Sequence, residues 1–258
     1  MAGLHDVATG CAEILGDWDD PDGWMVLVNG VANSYVHLGD PTRLEFEYVR
    51  WIGDVLDLAA APGEPLRVAH LGGAGCTLAR YLAATRPGSP QVVFELDAAL
   101  AELMRSAFGR QGFRLRTLDA RAGLAELPAR SRDVIIRDAF VGDTMPAHLS
   151  TLEFGREVAR VLDAGGLYLV NVGDRAGVPL ARAEAATLLP TFGEVAMICE
   201  PGQFRGRRFG NVVLLASRAE LPLDGLARRL ASQPVRARLM EPDRVRELVS
   251  GVAPLTDP

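Results

Sequence analysis

Apolar residues follow two rhythms along this chain. Residues 24–38, WMVLVNGVANSYVHL, carry two partly alternating apolar runs on either side of Asn29-Gly30, the strongest short-range signal for a β-hairpin. Asp40-Pro41-Thr42 breaks that pattern. In residues 44–60, LEFEYVRWIGDVLDLAA, the apolar positions recur at helical spacing until Pro62-Gly63 closes the segment. From residue 66 onward strands and helices alternate. Strands are expected near 66–71, 91–95, 114–118, 132–137 and 166–172, and helices near 75–85, 97–107, 120–126, 151–162 and 177–189. Alternation of this kind predicts parallel strands with helices on both faces. Two last apolar runs, 193–199 and 210–217, are joined by PGQFRGRRFG instead of a helix and predict an antiparallel hairpin at the sheet edge. The tail from 221 reads as one or two short helices ending in a frayed PLTDP.

The turn after the first of these strands is rich in glycine. In LRVAHLGGAGCTLARYL, Gly72, Gly73 and Gly75 allow a sharp turn and a close approach of backbone to a ligand. The next strand ends on Glu95, the distance at which a ribose-binding carboxylate is placed in nucleotide folds. A dinucleotide site would want glycine or alanine where Leu78 stands, and no Lys-Ser/Thr pair makes a phosphate loop. A glycine turn with a following carboxylate and no phosphate cradle fits a nucleoside without phosphates. S-adenosylmethionine, or its decarboxylated form, is the commonest such cosubstrate.

In an open parallel sheet, ligands gather beyond the carboxyl ends of the strands. After the glycine turn and Glu95 come Asp119-Ala120 and then Asp138. Two readings of Asp119 stand together: a partner for the adenine amino group, with the neighbouring N–H meeting a ring nitrogen, and an N-cap for the helix at 120–126. Asp138 either draws a proton from an attacking amine or positions a sulfonium donor. The segment VGDTMPAHLST after it is either a loop folding over the site or an ordinary connection. Arg43, Arg80 and Arg137 either answer a carboxylate on intact S-adenosylmethionine or are solvated charges, and Arg205, Arg207 and Arg208 have the same two readings toward an acidic ligand.

The 258 residues, 48% hydrophobic, suffice for one large α/β core with a small appendage. The expected division is an N-terminal β-hairpin and helix region at 1–62, a Rossmann-like nucleoside-binding catalytic domain at 63–218 and a C-terminal helical tail at 219–258. The start of the chain lacks a basic leader and an apolar core, so a cytoplasmic protein with no membrane span is expected. Net charge −6 argues against a nucleic-acid partner. Cys11, Cys76 and Cys199 show no C-x-x-C spacing, and His5, His37, His70 and His148 offer no ligand pair, so neither a disulfide framework nor a metal is expected. His70 reads as a packed core residue.

The order NGVANSYVHL, LEFEYVRWI, LGGAGCTLARYL, FELD, DAR, DVIIRDAF and a final hairpin resembles the spermidine synthase family of polyamine aminopropyltransferases over roughly residues 24–217. It is most similar to the divergent bacterial spermidine-synthase-like members, and more distantly to the class I S-adenosylmethionine-dependent methyltransferases. The resemblance implies a small N-terminal β domain, a Rossmann-like methyltransferase-type sheet and a homodimer or homotetramer built partly through the N-terminal strands. It also implies that Glu95 is the ribose carboxylate, Asp119 the adenine-side aspartate and Asp138 the base for amine deprotonation. Asn33 falls where the family has a glutamine near the donor, and Tyr48 where it has a tyrosine lining the acceptor channel.

The departures fall on amine recognition. The family's loop GGxDG has an aspartate where this chain has Ala74, a histidine where it has Val49, and a second aspartate where it has Val141, with Asp143 as a displaced substitute for binding the acceptor. An ammonium desolvated without a carboxylate costs several kcal/mol. The expected function is therefore a transferase that keeps the nucleoside half of the site, moves a methyl or alkylamine group to a small nucleophilic acceptor, an amine or hydroxyl, and has a changed polyamine site. Two alternatives stand beside it: authentic aminopropyl transfer to putrescine, with Asp143 and Glu47 replacing the lost carboxylates, and a non-catalytic nucleoside-binding protein of the same fold.

Overall fold

The computed structural model describes residues 1–109, 112–142, 144–204 and 209–258. Asp143, Arg205, Arg207 and Arg208 thus lie outside the described residues. Four antiparallel strands, β1 (Gly3–Val7), β2 (Gly10–Gly16), β3 (Gly23–Val28) and β4 (Val31–His37), form a first sheet in that order. The hairpin expected at Asn29-Gly30 is β3–β4: both turn residues take positive φ, 51° and 78°, as a two-residue turn matched to strand twist requires. The preceding hairpin β1–β2 corrects the expectation of a single one. Of its residues only Val7, Ala12 and Ile14 reach the core, too few for an alternating pattern to stand out.

Helix α1 (Glu47–Leu58) begins later than the helical spacing suggests. Arg50 Nη1 donates to the carbonyls of Leu44 and Glu45, at 3.1 and 2.9 Å, and keeps the preceding residues extended. The alternating region follows: β5 (Val68–Leu71), α2 (Thr77–Thr85), β6 (Gln91–Glu95), α3 (Ala98–Phe108), β7 (Arg114–Thr117), α4 (Ala120–Ala125), β8 (Arg132–Arg137), α5 (Leu152–Val161), β9 (Leu162–Asp174) and α6 (Pro179–Phe192). Helix α2 starts only at Thr77 because Cys76 sits in the left-handed region, φ 55°. Side chains cap three helices: Asp97 accepts from Leu100 N, Asp119 from Arg121 N and Ala122 N, and Thr151 from Phe154 N.

The chain closes with β10 (Glu194–Cys199), the single turn α7 (Pro201–Phe204), β11 (Gly210–Ser217), α8 (Leu226–Ser232), β12 (Arg238–Met240) and α9 (Pro242–Leu248). The second sheet has the order β12-β10-β11-β9-β8-β5-β6-β7. Strands β9, β8, β5, β6 and β7 run parallel, whereas β11, β10 and β12 join antiparallel. This is the α/β architecture expected, with one correction: the β10–β11 hairpin is not the edge, because β12 pairs with β10. The three residues of β12 were too short to show a period.

One face of this sheet is covered by α4, α5, α6 and α9 and the other by α1, α2 and α8. Helix α1 therefore packs in the core of the second sheet, across the boundary drawn at residue 62. Helix α3 carries the first sheet, with Leu100, Met104 and Phe108 packed against Val7, Ile14, Val26, Val28 and Val36. The C-terminal PLTDP is tied down, not frayed: Leu152 N donates to Leu255 O, Leu255 N to Thr187 Oγ1 and Asp257 N to Glu153 Oε2, at 2.8, 2.8 and 2.9 Å. Among the described residues no helix is long and apolar enough to cross a membrane.

Candidate nucleoside and acceptor site

Strands β5 and β8 are neighbours, and from β5 the chain runs outward through β6 and β7 before it returns on the other side at β8. The crevice beyond such a reversal is where open α/β sheets hold ligands. Gly72 ends β5 with φ 105°, and a Cβ there would stand 2.1 Å from the backbone oxygen of Asp138. Only glycine fits. Gly73 N and Ala74 N both donate to Glu95 Oε2, at 2.9 and 3.1 Å, while Glu95 Oε1 accepts from Asp97 N at 2.9 Å. The carboxylate is thus clamped by the turn, and with three of its roughly four acceptor positions taken it retains one for a ligand hydroxyl.

Gly75 has a different task. Its N–H donates to Ser34 Oγ at 3.0 Å, and a Cβ would lie 2.7 Å from Ser34 Cβ. It serves the close approach of β4 and does not border the cavity. Asn33, Tyr48, Gly72, Gly73, Glu95, Asp119, Ala120 and Asp138, the other described residues assigned from the sequence to donor, acceptor or proton, all border one cavity of about 420 Å³. Val28, Val31 and Ala32 of the first sheet and Phe140, Pro146 and Leu149 of the segment after β8 add apolar wall.

Asp138 lies at the centre of the arrangement. Tyr48 Oη donates to its Oδ2 at 3.0 Å and Asn171 Nδ2 to its Oδ1 at 2.8 Å. Burial raises its pKa above the ordinary carboxylate value, opposed by these two hydrogen bonds and by the Arg137 charge. Burial also pushes the Tyr48 phenol well up, helped by the negative Asp138 beside it, so Tyr48 is a hydrogen-bond donor and Asp138 the group that can take a proton.

Asp119 is the helix cap that one of the two sequence readings gave it. Oδ1 accepts from Arg121 N and Ala122 N, at 2.9 and 3.1 Å, as the cap of α4, and Oδ2 faces the cavity paired with His148 Nε2 at 3.0 Å. Burial opposes its charge, but the Ala122 N–H, His148 and the Arg121 N–H outweigh it and its pKa is lowered. Glu47, Glu95, Asp119 and Asp138 border the cavity, and no Lys or Arg does so among the described residues. Such a lining suits a cation.

Two of the three arginines are neither solvated nor free for a ligand. Arg137 is 1% exposed, donates to Glu184 Oε1 and Oε2 at 2.8 and 2.6 Å and to Ser150 Oγ at 2.9 Å, and also bonds the Leu149 carbonyl. It anchors the segment that follows Asp138. Arg80 donates to the carbonyls of Gly75, Phe108 and Gly109 and lies 5.7 Å from the centres of the Phe108 and Phe113 rings. Arg43 pairs with Asp20 on the first sheet. His70 is a core residue as expected, buried against Gln91 Oε1 at 2.9 Å, with its pKa brought down to about 4 by burial.

Sequence reasoning missed Asn171 and Gly173 of β9, Asn211 of β11 and Phe209 just before β11, which border the cavity. A signal was present for the first. Asn171 is the lone polar residue in the run LYLVNV, and a polar side chain in a buried strand needs a partner. Among the described residues no cluster of three His, Cys, Asp or Glu is placed to hold a metal.

No family model matches the chain. A polyamine aminopropyltransferase from Vibrio vulnificus is 30% identical over 185 residues, which make up 70% of this chain but 58% of that protein, so the match spans less than two thirds of the curated relative. The crystal structure of a probable spermidine synthase from Corynebacterium glutamicum has a TM-score of 0.93 and 36% identity, with 100% of this chain and 97% of that chain covered. Human methyltransferase-like protein 13, solved in complex with SAH, is similar in fold, with a TM-score of 0.56, 20% identity, and coverage of 67% of this chain and 82% of that one.

Proposed function

Given that this chain belongs to the spermidine synthase family, we propose that it is a transferase that binds decarboxylated S-adenosylmethionine and passes its alkylamine group to a small nucleophilic acceptor. The observation that carries the reading is Asp138: a buried carboxylate at the strand reversal, held by Tyr48 and Asn171 on the wall of the cavity that Glu95 and Asp119 also border. Glu95 would receive the ribose hydroxyls, Asp119 and Ala120 would meet the adenine edge, and Asn33 lies near the donor. The carboxylate-rich lining answers the sulfonium charge. The reaction is in-line displacement at a carbon attached to sulfur, with Asp138 as proton acceptor and most of the rate coming from positioning.

The decarboxylated donor is preferred because no described cationic side chain on the cavity answers a donor carboxylate. One observation favours the second reading, methyl transfer from intact S-adenosylmethionine: Ala74 occupies the turn and leaves a donor ammonium without the loop carboxylate that the family uses. Calorimetry with both donors, followed by mass spectrometry of the spent nucleoside, separates the two. Methylthioadenosine as product supports alkylamine transfer, S-adenosylhomocysteine supports methyl transfer, and no heat with either donor overturns both. Exposed apolar side chains at the first sheet support self-association, as a homodimer or homotetramer: Leu4 on β1 is 72% exposed and Trp18 in the loop joining β2 to β3 is 98% exposed; a monomer by analytical ultracentrifugation would count against it.

A further inference from the structure

The wall around Asp138 carries an acceptor atom that no described residue satisfies. Asn171 is 2% exposed, and its amide orientation follows from Asp138, since a flipped amide would set oxygen against carboxylate oxygen. With Nδ2 on Asp138 Oδ1, the other amide atom, Oδ1, is buried and has no hydrogen-bond partner among the described residues. A buried carbonyl left unpaired is destabilising, and on a cavity wall that loss is recovered when a ligand N–H arrives.

Two residues further along the same face of β9, Gly173 leaves room for the rest of a ligand. A Cβ there would lie 3.4 Å from Phe140 Cε1 and 3.7 Å from Phe209 Cζ, and both rings border the cavity. Its partner on β11 is the neutral Asn211. Among the described residues that border the cavity from β8, β9, β11 and the segments beside them, Asp138 is the one carboxylate. The head of this subsite is polar and its floor is apolar.

We propose that the acceptor is an amine with an apolar body, its nitrogen held between the Asp138 carboxylate and Asn171 Oδ1 and its hydrocarbon seated over Gly173 against Phe140 and Phe209. The proposal rests on the transferase reading above. An alkylammonium R–NH3⁺ gives one proton to Asp138. The nitrogen lone pair then forms a bond to the carbon attached to sulfur as the C–S bond breaks, and that electron pair stays on sulfur as a neutral thioether. The new secondary ammonium keeps two N–H groups, one of them on Asn171 Oδ1. The second ammonium of a diamine would sit against phenyl rings and an amide, with no carboxylate among the described residues on the β9 and β11 side of the cavity.

The test compares n-butylamine with putrescine, which differ by one terminal ammonium, using decarboxylated S-adenosylmethionine as donor and the full chain. Methylthioadenosine binding is measured beside it by calorimetry. Butylamine is expected to have the higher kcat/KM by about tenfold, and Phe209→Asp, at a position 65% exposed where folding is not at stake, to bring that ratio down by about tenfold. Asn171→Ser is expected to raise KM for butylamine and leave the methylthioadenosine affinity unchanged. Putrescine equal to or better than butylamine, or neither amine consumed while methylthioadenosine binds, overturns this inference alone. Absence of methylthioadenosine binding overturns the transferase reading with it.

Discussion

The Tyr48 hydroxyl in the first turn of α1 donates to Asp138 Oδ2 at 3.0 Å across 90 residues of sequence. This contact makes α1 part of the cavity wall, and it couples the protonation of Asp138 to a neutral donor. Asp138 must be ionised to take a proton, and burial holds its pKa above 3.8. Activity therefore falls as pH drops through that raised value. Tyr48→Phe removes a hydrogen bond that lowers the pKa and leaves the burial that raises it, so the acid limb of kcat/KM moves to higher pH. About tenfold of activity is lost at neutral pH. Asp138→Asn abolishes turnover with donor affinity retained. A Tyr48→Phe profile that coincides with the wild type would show that the hydroxyl does not tune Asp138.

Gly72 is dictated by its surroundings from two sides. The positive φ strains any side chain, and the Asp138 carbonyl occupies the place of a Cβ. Gly72→Ala is expected to destabilise the fold by about 3 kcal/mol, read as a lower denaturant midpoint at constant slope. A loss below about 1 kcal/mol would mean that the turn relaxes freely.

Glu95 holds both the turn and, in the proposed complex, the ribose. Glu95→Gln replaces one carboxylate oxygen with an amide nitrogen that cannot accept from the backbone N–H groups it faces. Affinity for methylthioadenosine should drop by at least about tenfold. Unchanged affinity would remove the carboxylate from the nucleoside site.

Arg137 and Glu184 form a buried ion pair, 2% and 4% exposed at the side chain, behind the segment that follows Asp138. Removing either partner alone strands a charge in the core. Arg137→Met and Glu184→Leu should each cost about 3–5 kcal/mol, and the double substitution much less than their sum. Additive losses in chemical denaturation would contradict a coupled pair.

His70 has a folded pKa of about 4 against an unfolded 6.5. Because the unfolded chain binds the proton more readily, the stability that neutral His70 supplies is complete above 6.5 and disappears as pH falls through about 4. The amount is of the order of 3 kcal/mol. His70→Gln should flatten the stability profile between those values. Equal slopes for the two proteins would place the acid sensitivity elsewhere.

Much of this was readable along the chain because it is local. The turn at Asn29-Gly30, the cap Asp119, and the strands at 91–95 and 132–137 follow from dihedral preference, side-chain reach and period, which act over a few residues. The rule that chemistry gathers after parallel strands picked out Glu95, Asp119 and Asp138, which border one cavity. The start of α2 at Thr77, the short strand β12 and the first hairpin lacked such a signal. One depends on a single left-handed Cys76, and the others contain too few apolar residues for a period.

The order of strands and helices, the glycine turn and the carboxylates after it were contained in the residues themselves, since spacing and propensity act on neighbours. Which carbonyl fills the place of a side chain at Gly72, which strand crowds Gly75, that Arg80 and Arg137 are internal props, and that Asn171 leaves a buried oxygen without a donor among the described residues were decided by tertiary packing. Burial and hydrogen-bond partnership depend on segments distant in sequence, and the contacts from Tyr48 to Asp138 and from Arg137 to Glu184 exist only after the chain has closed on itself.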